Sequence, residues 1–389
     1  MKLTPTTLTN RIEALDLLRG FALLGILIAN MLLFQTPYFY IEPYSYFSAS
    51  GDLEAFKWIS IFVQGSFYPI FAFLFGYGLN MQYEKAIKRN ESYAKMMAKR
   101  LTILLVFGLI HALFIWSGDV LFSYATLGFT LLFLVRIPAK WLSMIAAFLY
   151  IIPGILLYFV TKFIVEMDSA GVTTDLMNQS QIDNALDVFA NGSFGEILAF
   201  RTVEWLVFGL TSTFLGIFIV LPIILFGAAM SKWKVIERAH AMKWRLVIVG
   251  VITMGLGLWV KALPFTKSPT FDYFQLQSTF GGVLLAAGYA SIFLLFTTSK
   301  KFRSFFSPLG KAGRMSLTTY IMQSVIATLI FYGFGFGLYG KMSLWVGTLI
   351  ALSIFVVQVI FAEIWLSKFK MGPIEKVWRI GTYGRKSTK

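Results

Sequence analysis

Apolar residues along this chain gather in blocks of roughly 17 to 25, each long enough to cross a hydrocarbon core of about 30 Å, and short polar stretches separate them. Backbone groups in lipid must find their partners internally, so such blocks predict helices rather than isolated strands. The blocks fall at 17–35, 57–80, 100–116, 119–135, 141–164, 202–230, 244–262, 278–298, 316–338 and 344–366. The expected fold class is therefore all-α, a polytopic membrane helix bundle of about ten transmembrane helices.

The polar stretches carry a second pattern. Segments 81–100, 136–140, 231–245, 299–315 and 367–389 hold most of the Lys and Arg, among them Lys85, Lys88, Arg89, Lys95, Lys99 and Arg100, then Lys300, Lys301, Arg303, Lys311 and Arg314. The alternate stretches are poor in both. The longest, 165–201, carries Glu166, Asp168, Asp175, Asp183, Asp187 and Glu196 instead. Basic and non-basic loops alternate through all the proposed spans, and the positive-inside rule then puts both termini in the cytoplasm. Within 165–201, Ile182, Leu186 and Phe189 recur at roughly helical spacing, which predicts one amphipathic helix lying on or capping the bundle. No internal repeat or separate soluble domain is visible, and the 231–245 loop divides the chain most naturally into 1–230 and 231–389.

Composition agrees with the pattern: of 389 residues, 57% are hydrophobic and 14% charged, where a soluble chain carries about a quarter charged. A net charge of +15 invites a nucleic-acid reading, but the basic residues sit in short loops between apolar spans, where they serve topology and anionic headgroups. Lipid is the expected partner and nucleic acid is not. The chain has no cysteine and only His111 and His240, which excludes disulfides, thiol nucleophiles, zinc–thiolate sites and multi-histidine metal sites. Residues 1–15 are polar and no small-residue cleavage site follows the first apolar run, so that run reads as a permanent first helix. No phosphate-cradling Gly-Lys-Ser/Thr motif, nucleophile elbow or dinucleotide fingerprint occurs.

Polar groups at membrane depth carry the chemistry, because their burial there is costly. Asp16 and Arg19 are three residues apart on the first helix, and Asn30, eleven residues after Arg19, shares their face about 16 Å deeper. The blander account is an ion pair plus an interhelical hydrogen bond. In "GLIHALFIWSGDVLFSYA" (108–125), Trp116-Ser117-Gly118-Asp119 reads as a tight external turn. That turn places His111 and Tyr124 about 8–10 Å below the surface, with Asp119 above them. A His with a carboxylate and a phenol in reach makes an acid–base unit; the alternative is a neutral His tying two helices together while Asp119 caps the second. Gln64, Ser66 and Tyr68 are fainter candidates, close to Gly76 and Gly78, which permit close helix approach. Gln323, Ser324 and Gln358 read as packing groups, Glu363 as the partner of a nearby basic residue, and His240 as solvent-exposed.

Three blocks resemble the YeiB-like bacterial membrane proteins, a domain-of-unknown-function family: "RIEALDLLRGFALLGILIAN", the 108–125 hairpin, and "GRMSLTTYIMQS" followed by "KMGPIEKVWRIGTYG". The resemblance implies a multi-pass protein of the bacterial inner membrane. More distantly the first block, within 1–230, resembles the transmembrane acyltransferases, which share an Arg-Gly near the start of helix one and a polar residue eleven positions on. Arg19-Gly20 and Asn30 occupy those positions. Asn30 stands where the O-acetyltransferases have a catalytic His, as it does in the heparan glucosaminide N-acetyltransferase, which takes its His from the next external loop. Loop 36–56 has no His here, which leaves His111 as the only intramembrane His that could substitute. The resemblance implies acyl transfer from a cytoplasmic acyl-CoA, such as acetyl-CoA, to a small-molecule, sugar or lipid acceptor, with no bound cofactor or metal. In that scheme His111, Asp119, Tyr124 and Asn30 are catalytic, and Asp16, Arg19, Gln64 and Tyr68 bind donor or substrate. A transporter or flippase using the same polar residues is the alternative, and a non-catalytic membrane component the third reading.

Overall fold

A computed structural model describes residues 12–169 and 179–384. The polar start at 1–11, the middle of the acidic segment with Asp175, and the last five residues lie outside the described residues, as do the side chains of Asp168 and Ser169. Within the described residues the chain is helical with no strand. In order the helices are α1 (Glu13–Gln35), α2 (Pro43–Ala49), α3 (Leu53–Phe62), α4 (Tyr68–Lys88), α5 (Tyr93–Phe114), α6 (Leu121–Leu134) and α7 (Ala139–Ser169). Next come α8 (Gln179–Asn191), α9 (Phe194–Glu204), α10 (Leu210–Ile219), α11 (Leu221–Lys232), α12 (Lys243–Thr266), α13 (Phe271–Leu276) and α14 (Gly282–Phe296). The last are α15 (Lys300–Phe305), α16 (Ser307–Arg314), α17 (Ser316–Phe331), α18 (Leu344–Lys368) and α19 (Pro373–Tyr383).

Among the described residues, seven helical stretches are long and apolar enough to cross a membrane: Glu13–Gln35, Tyr93–Phe114, Ala139–Met167, Phe194–Ile219, Lys243–Thr266, Phe271–Phe296 and Leu344–Lys368. Shorter apolar helices occupy Leu121–Leu134, Leu221–Lys232 and Ser316–Phe331. Around them large apolar side chains face outward: Phe148 is 65% exposed, Phe163 61%, Trp259 63% and Leu349 62%. An apolar girdle of this kind needs apolar surroundings, which a bilayer supplies.

Several expected spans are interrupted, at glycine, at proline or at a wide turn. The run at 57–80 is two helices, because the backbone turns at Gly65 (φ +76°) and restarts with Pro69 in the first turn of α4, where a missing N–H costs nothing. The run at 202–230 continues from α9 through a wide turn at Trp205–Gly209 and α10, then breaks at Val220 ahead of Pro222. The run at 316–338 stops at Phe331, and the glycine-rich residues after it turn, with Gly337 and Gly340 at φ +64° and +71°.

The core is built on α1, whose Leu23, Leu27, Met31 and Phe34 are buried with Leu104 of α5 and Tyr320, Ala327 and Phe331 of α17. The predicted amphipathic helix is α8: it buries Ile182, Ala185 and Phe189, with Phe189 joining that same core. Close helix packing is set by glycine. A Cβ on Gly76 of α4 would lie 1.9 Å from the Ile224 carbonyl oxygen of α11, and one on Gly227 would lie 2.1 Å from that of Phe73. The packing groups fall as expected, with Gln323 donating to Gln358 (3.2 Å) and Gln358 to the Thr319 carbonyl (3.1 Å). Glu363 pairs with Lys311, and His240 is exposed.

Candidate functional site

The cavity of interest, about 910 Å³, lies between α1, α4, α5, α6, α17 and α19. Helical geometry explains its walls. On α1 the lining residues Asp16, Arg19, Leu23, Ile26, Asn30 and Leu33 step by three and four, and on α4 so do Tyr68, Phe71, Phe75, Gly78, Gln82 and Lys85. Two stripes therefore face one space. One end of it holds Arg19, Lys85, Arg100, Arg314, Lys370 and Arg379 against the carboxylates Asp16 and Glu375, and the other holds Asn30, Gln64, Tyr68 and Tyr124. Its size is that of a small-molecule or cofactor site.

At the basic end Arg19 Nη1 donates to Asp16 Oδ1 at 3.1 Å, the ion pair expected from their spacing. Gly78 faces it, and a Cβ there would touch Arg19 Nη2 at an ordinary contact distance of 3.7 Å. The Arg100 guanidinium stacks over the Trp378 ring, 3.8 Å from its centroid, and Trp378 Nε1 donates to the Arg100 carbonyl at 2.9 Å. Glu375 accepts from the backbone N–H of Leu317 (2.8 Å) and of Thr318 (3.1 Å), and from the Thr318 hydroxyl (2.5 Å). Burial raises its carboxyl above the ordinary Glu range, and the bonds from Thr318 oppose the shift.

At the far end the polar groups differ in how they are used. Gln64 Nε2 donates to the Tyr38 hydroxyl at 2.5 Å, and the Gln64 carbonyl accepts from Lys261, a fully buried lysine of α12. Burial pushes the Tyr38 phenol up to about 12, with the Gln64 bond acting against it. The Tyr124 hydroxyl donates to the Tyr68 carbonyl at 3.1 Å, not to the His111 pair. Asn30 is half-buried on the cavity wall, and no hydrogen bond ties its carboxamide to the described residues.

Of the eight residues expected from sequence, six line this one cavity: Asp16, Arg19, Asn30, Gln64, Tyr68 and Tyr124. His111 and Asp119 are brought together but stand behind the wall. His111 Nδ1 lies 2.9 Å from Asp119 Oδ1, both side chains are fully buried, and Asp119 Oδ2 accepts from the Phe122 N–H at 2.7 Å. The carboxylate favours the tautomer with the proton on Nδ1, which leaves a lone pair on Nε2, an atom with no hydrogen-bond partner among the described residues. Tyr320, whose ring lies 5.1 Å from the imidazole, lines the cavity, and His111 does not.

Sequence reasoning missed the residues that α19 and its approach add. Lys85, Arg100 and Arg314 read as topology signals, and Lys370, Glu375, Trp378, Arg379 and Tyr383 as part of a basic segment and of a block that carries the family resemblance, with no role in a site. The available signal was the amphipathic spacing of Ile374, Trp378 and Gly381 opposite charged positions after the final span. A second buried network was also missed: Arg201 donates to the Leu113 and Ile115 carbonyls at 3.0 and 2.6 Å, while Glu204 accepts from Ser117 and Tyr40.

A family model described as "Protein of unknown function (DUF418)" matches residues 230–385. Over 399 aligned positions the chain is 31% identical to the uncharacterized protein YxaH of Bacillus subtilis strain 168, covering 98% of this chain and 96% of that one. It is 29% identical over 405 positions to an uncharacterized 39.9 kDa protein in the amylase 3' region of Bacillus acidopullulyticus, with 98% and 96% covered. It is 25% identical over 386 positions to the uncharacterized protein YeiB of Escherichia coli K12, with 94% of each covered.

Proposed function

This chain belongs to the DUF418 family of proteins of unknown function, and on that footing we propose that it transfers an acyl group from a cytoplasmic acyl-CoA to a sugar or lipid acceptor of the cell envelope. The observation that carries the reading is the joint placement of Arg19 and Asn30. They lie eleven residues apart on one stripe of α1, and both line a cavity with six cationic side chains at one end and amide and phenol groups at the other.

With the basic loops taken as cytoplasmic, the donor phosphates enter at Arg19, Arg100 and Arg379, where charge-assisted bonds are strongest. The acyl thioester then extends along α1 toward Asn30. There the acceptor oxygen or nitrogen attacks the thioester carbonyl carbon, the carbon–sulfur bond breaks, and coenzyme A leaves as the thiol with a proton. The Asn30 amide, or the Tyr124 hydroxyl released from Tyr68, donates to the oxyanion that forms. His111 Nε2 takes the acceptor proton after Tyr320 swings aside, while Asp119 holds the ring and stabilises the imidazolium.

The test is transfer of label from radiolabelled acetyl-CoA to envelope lipids and glycans in membranes of cells expressing the protein. Wild type is expected to label a product that Asn30→Ala and His111→Ala both lose. Equal labelling by wild type and both variants, at equal protein level, would discard the reading. A second reading is movement of an anionic amphiphile across the membrane, favoured by the position of the only intramembrane imidazole outside the cavity wall. Flux of a fluorescent anionic lipid in proteoliposomes, unchanged by His111→Ala, would select it.

A further inference from the structure

The C-terminal helix α19 forms the cavity wall at the basic end, through Glu375, Trp378, Arg379 and Tyr383, with Lys370 and Met371 ahead of it. It is attached to the bundle mainly by polar clasps. Glu375 sits on the first turn of α17, Trp378 on Arg100 of α5, and the connecting strap is tied by Trp365 Nε1 to the Met371 carbonyl (3.0 Å) and by Arg314 to the Lys370 carbonyl. Its apolar anchorage is thin. Only Thr382 is buried among its residues, Ile374 and Trp378 rest partly buried against the core, and Val377 is 58% exposed. A helix held by a few hydrogen bonds over little buried apolar surface belongs to the low-stability end of a structure. The bundle beneath it is held instead by large apolar clusters and close glycine contacts.

We propose that α19 is a lid over the basic end of the cavity, latched by Glu375 on the first turn of α17 and opening to admit the ligand. The proposal rests on the reading of this cavity as the ligand site. Release of the Glu375 carboxylate from Leu317, Thr318 and the Thr318 hydroxyl frees α19 to turn about the strap at Phe369–Gly372. Trp378 then leaves Arg100, and the guanidinium it covered becomes available to an incoming anion. Closure would re-form the same bonds and exclude water from the far end.

The absence of cysteine from the chain makes the test clean. Asn30→Cys supplies a single thiol in the cavity, and its rate of modification by an anionic methanethiosulfonate reports access. Adding Glu375→Ala is expected to raise that rate about tenfold or more, because the charge-assisted bonds that hold the closed state are gone. Ile103→Cys with Gly381→Cys locks the lid, since a Cβ on Gly381 lies 3.6 and 4.0 Å from Ile103 Cγ1 and Cγ2. Disulfide formation before labelling is expected to slow modification of the cavity thiol by a similar factor. Equal rates in the locked, unlocked and Glu375→Ala proteins would overturn the lid, and the lock gives this answer even where Glu375→Ala fails to fold. Palmitoyl-CoA, added as a protecting probe, separates the two claims. Lid-dependent labelling that palmitoyl-CoA leaves unslowed upholds the lid and removes the acyl-CoA reading; protection without lid dependence does the reverse.

Discussion

Replacing Arg19 by Ala removes a guanidinium that donates to Asp16 Oδ1 at 3.1 Å, and the structure allows its two effects to be separated. The first is on stability. Asp16 and Arg19 keep 10% and 25% of their side-chain surface exposed, so depriving the carboxylate of this partner costs about 1–3 kcal/mol. The second is on binding. A hydrogen bond to a charged group contributes about 1.5–3 kcal/mol, which corresponds to a roughly 10- to 150-fold weaker dissociation constant for an acyl-CoA. The double variant Asp16→Asn/Arg19→Gln removes both charges, so it should recover most of the lost stability while keeping the loss in affinity. Arg19→Lys should fall between, because it retains the charge without the planar fork. Palmitoyl-CoA binding measured in detergent, beside the thermal midpoint of each variant without ligand, gives the two quantities independently. A double variant that is stable and binds like wild type would refute the assignment of Arg19 to the donor phosphates.

Asn30→Ala should leave the thermal midpoint unchanged, since the carboxamide has no partner among the described residues, yet lower transfer roughly 10²- to 10³-fold as loss of an oxyanion donor does; transfer and unfolding assays on one preparation check it. Gly76→Ala or Gly227→Ala drives a Cβ into a backbone carbonyl of the facing helix, and should destabilise by about 3 kcal/mol, seen as loss of the monodisperse peak in detergent. Arg201→Met uncovers the Leu113 and Ile115 carbonyls at the end of α5, which should cost about 2–4 kcal/mol as two buried acceptors lose their donor. Arg201→Lys should restore less than half of that, because one ammonium does not reproduce the fork; both are read from thermal unfolding.

The parts of the fold legible in the sequence were those fixed by solvent. Long apolar runs become long helices whatever their neighbours, so α1, α12 and α18 begin and end near their expected bounds, while α5 starts at Tyr93 rather than 100 and α7 runs to Ser169 rather than 164. Helix breaks were less legible because they depend on partners far along the chain. The turn at Gly65 is held by Lys261, nearly two hundred residues later, and the stop at Phe331 by contacts with α8, where the Gly333 N–H donates to the Phe189 carbonyl at 2.8 Å. At the site, the stripe of Asp16, Arg19 and Asn30 was readable because one helix carries it and its period is fixed. The His111–Asp119 pair was readable for a similar reason, since a short hairpin joins them. That Tyr320 of α17 would line the cavity while this pair does not was not, and neither was the use of the C-terminal helix as a wall. Both depend on how distant helices pack, which no local spacing records.

On the proposed function, the space between α1, α4 and α19 receives a donor whose phosphates lie at the basic end and whose acyl group reaches Asn30. An electron cryomicroscopy map of the protein in nanodiscs with a non-hydrolysable palmitoyl-CoA analogue tests it most directly. Phosphate density is expected within hydrogen-bond distance of Arg19, Arg100 and Arg379, and the thioester position beside Asn30. An analogue ordered elsewhere on the protein, with this cavity filled by a bilayer lipid, would contradict it.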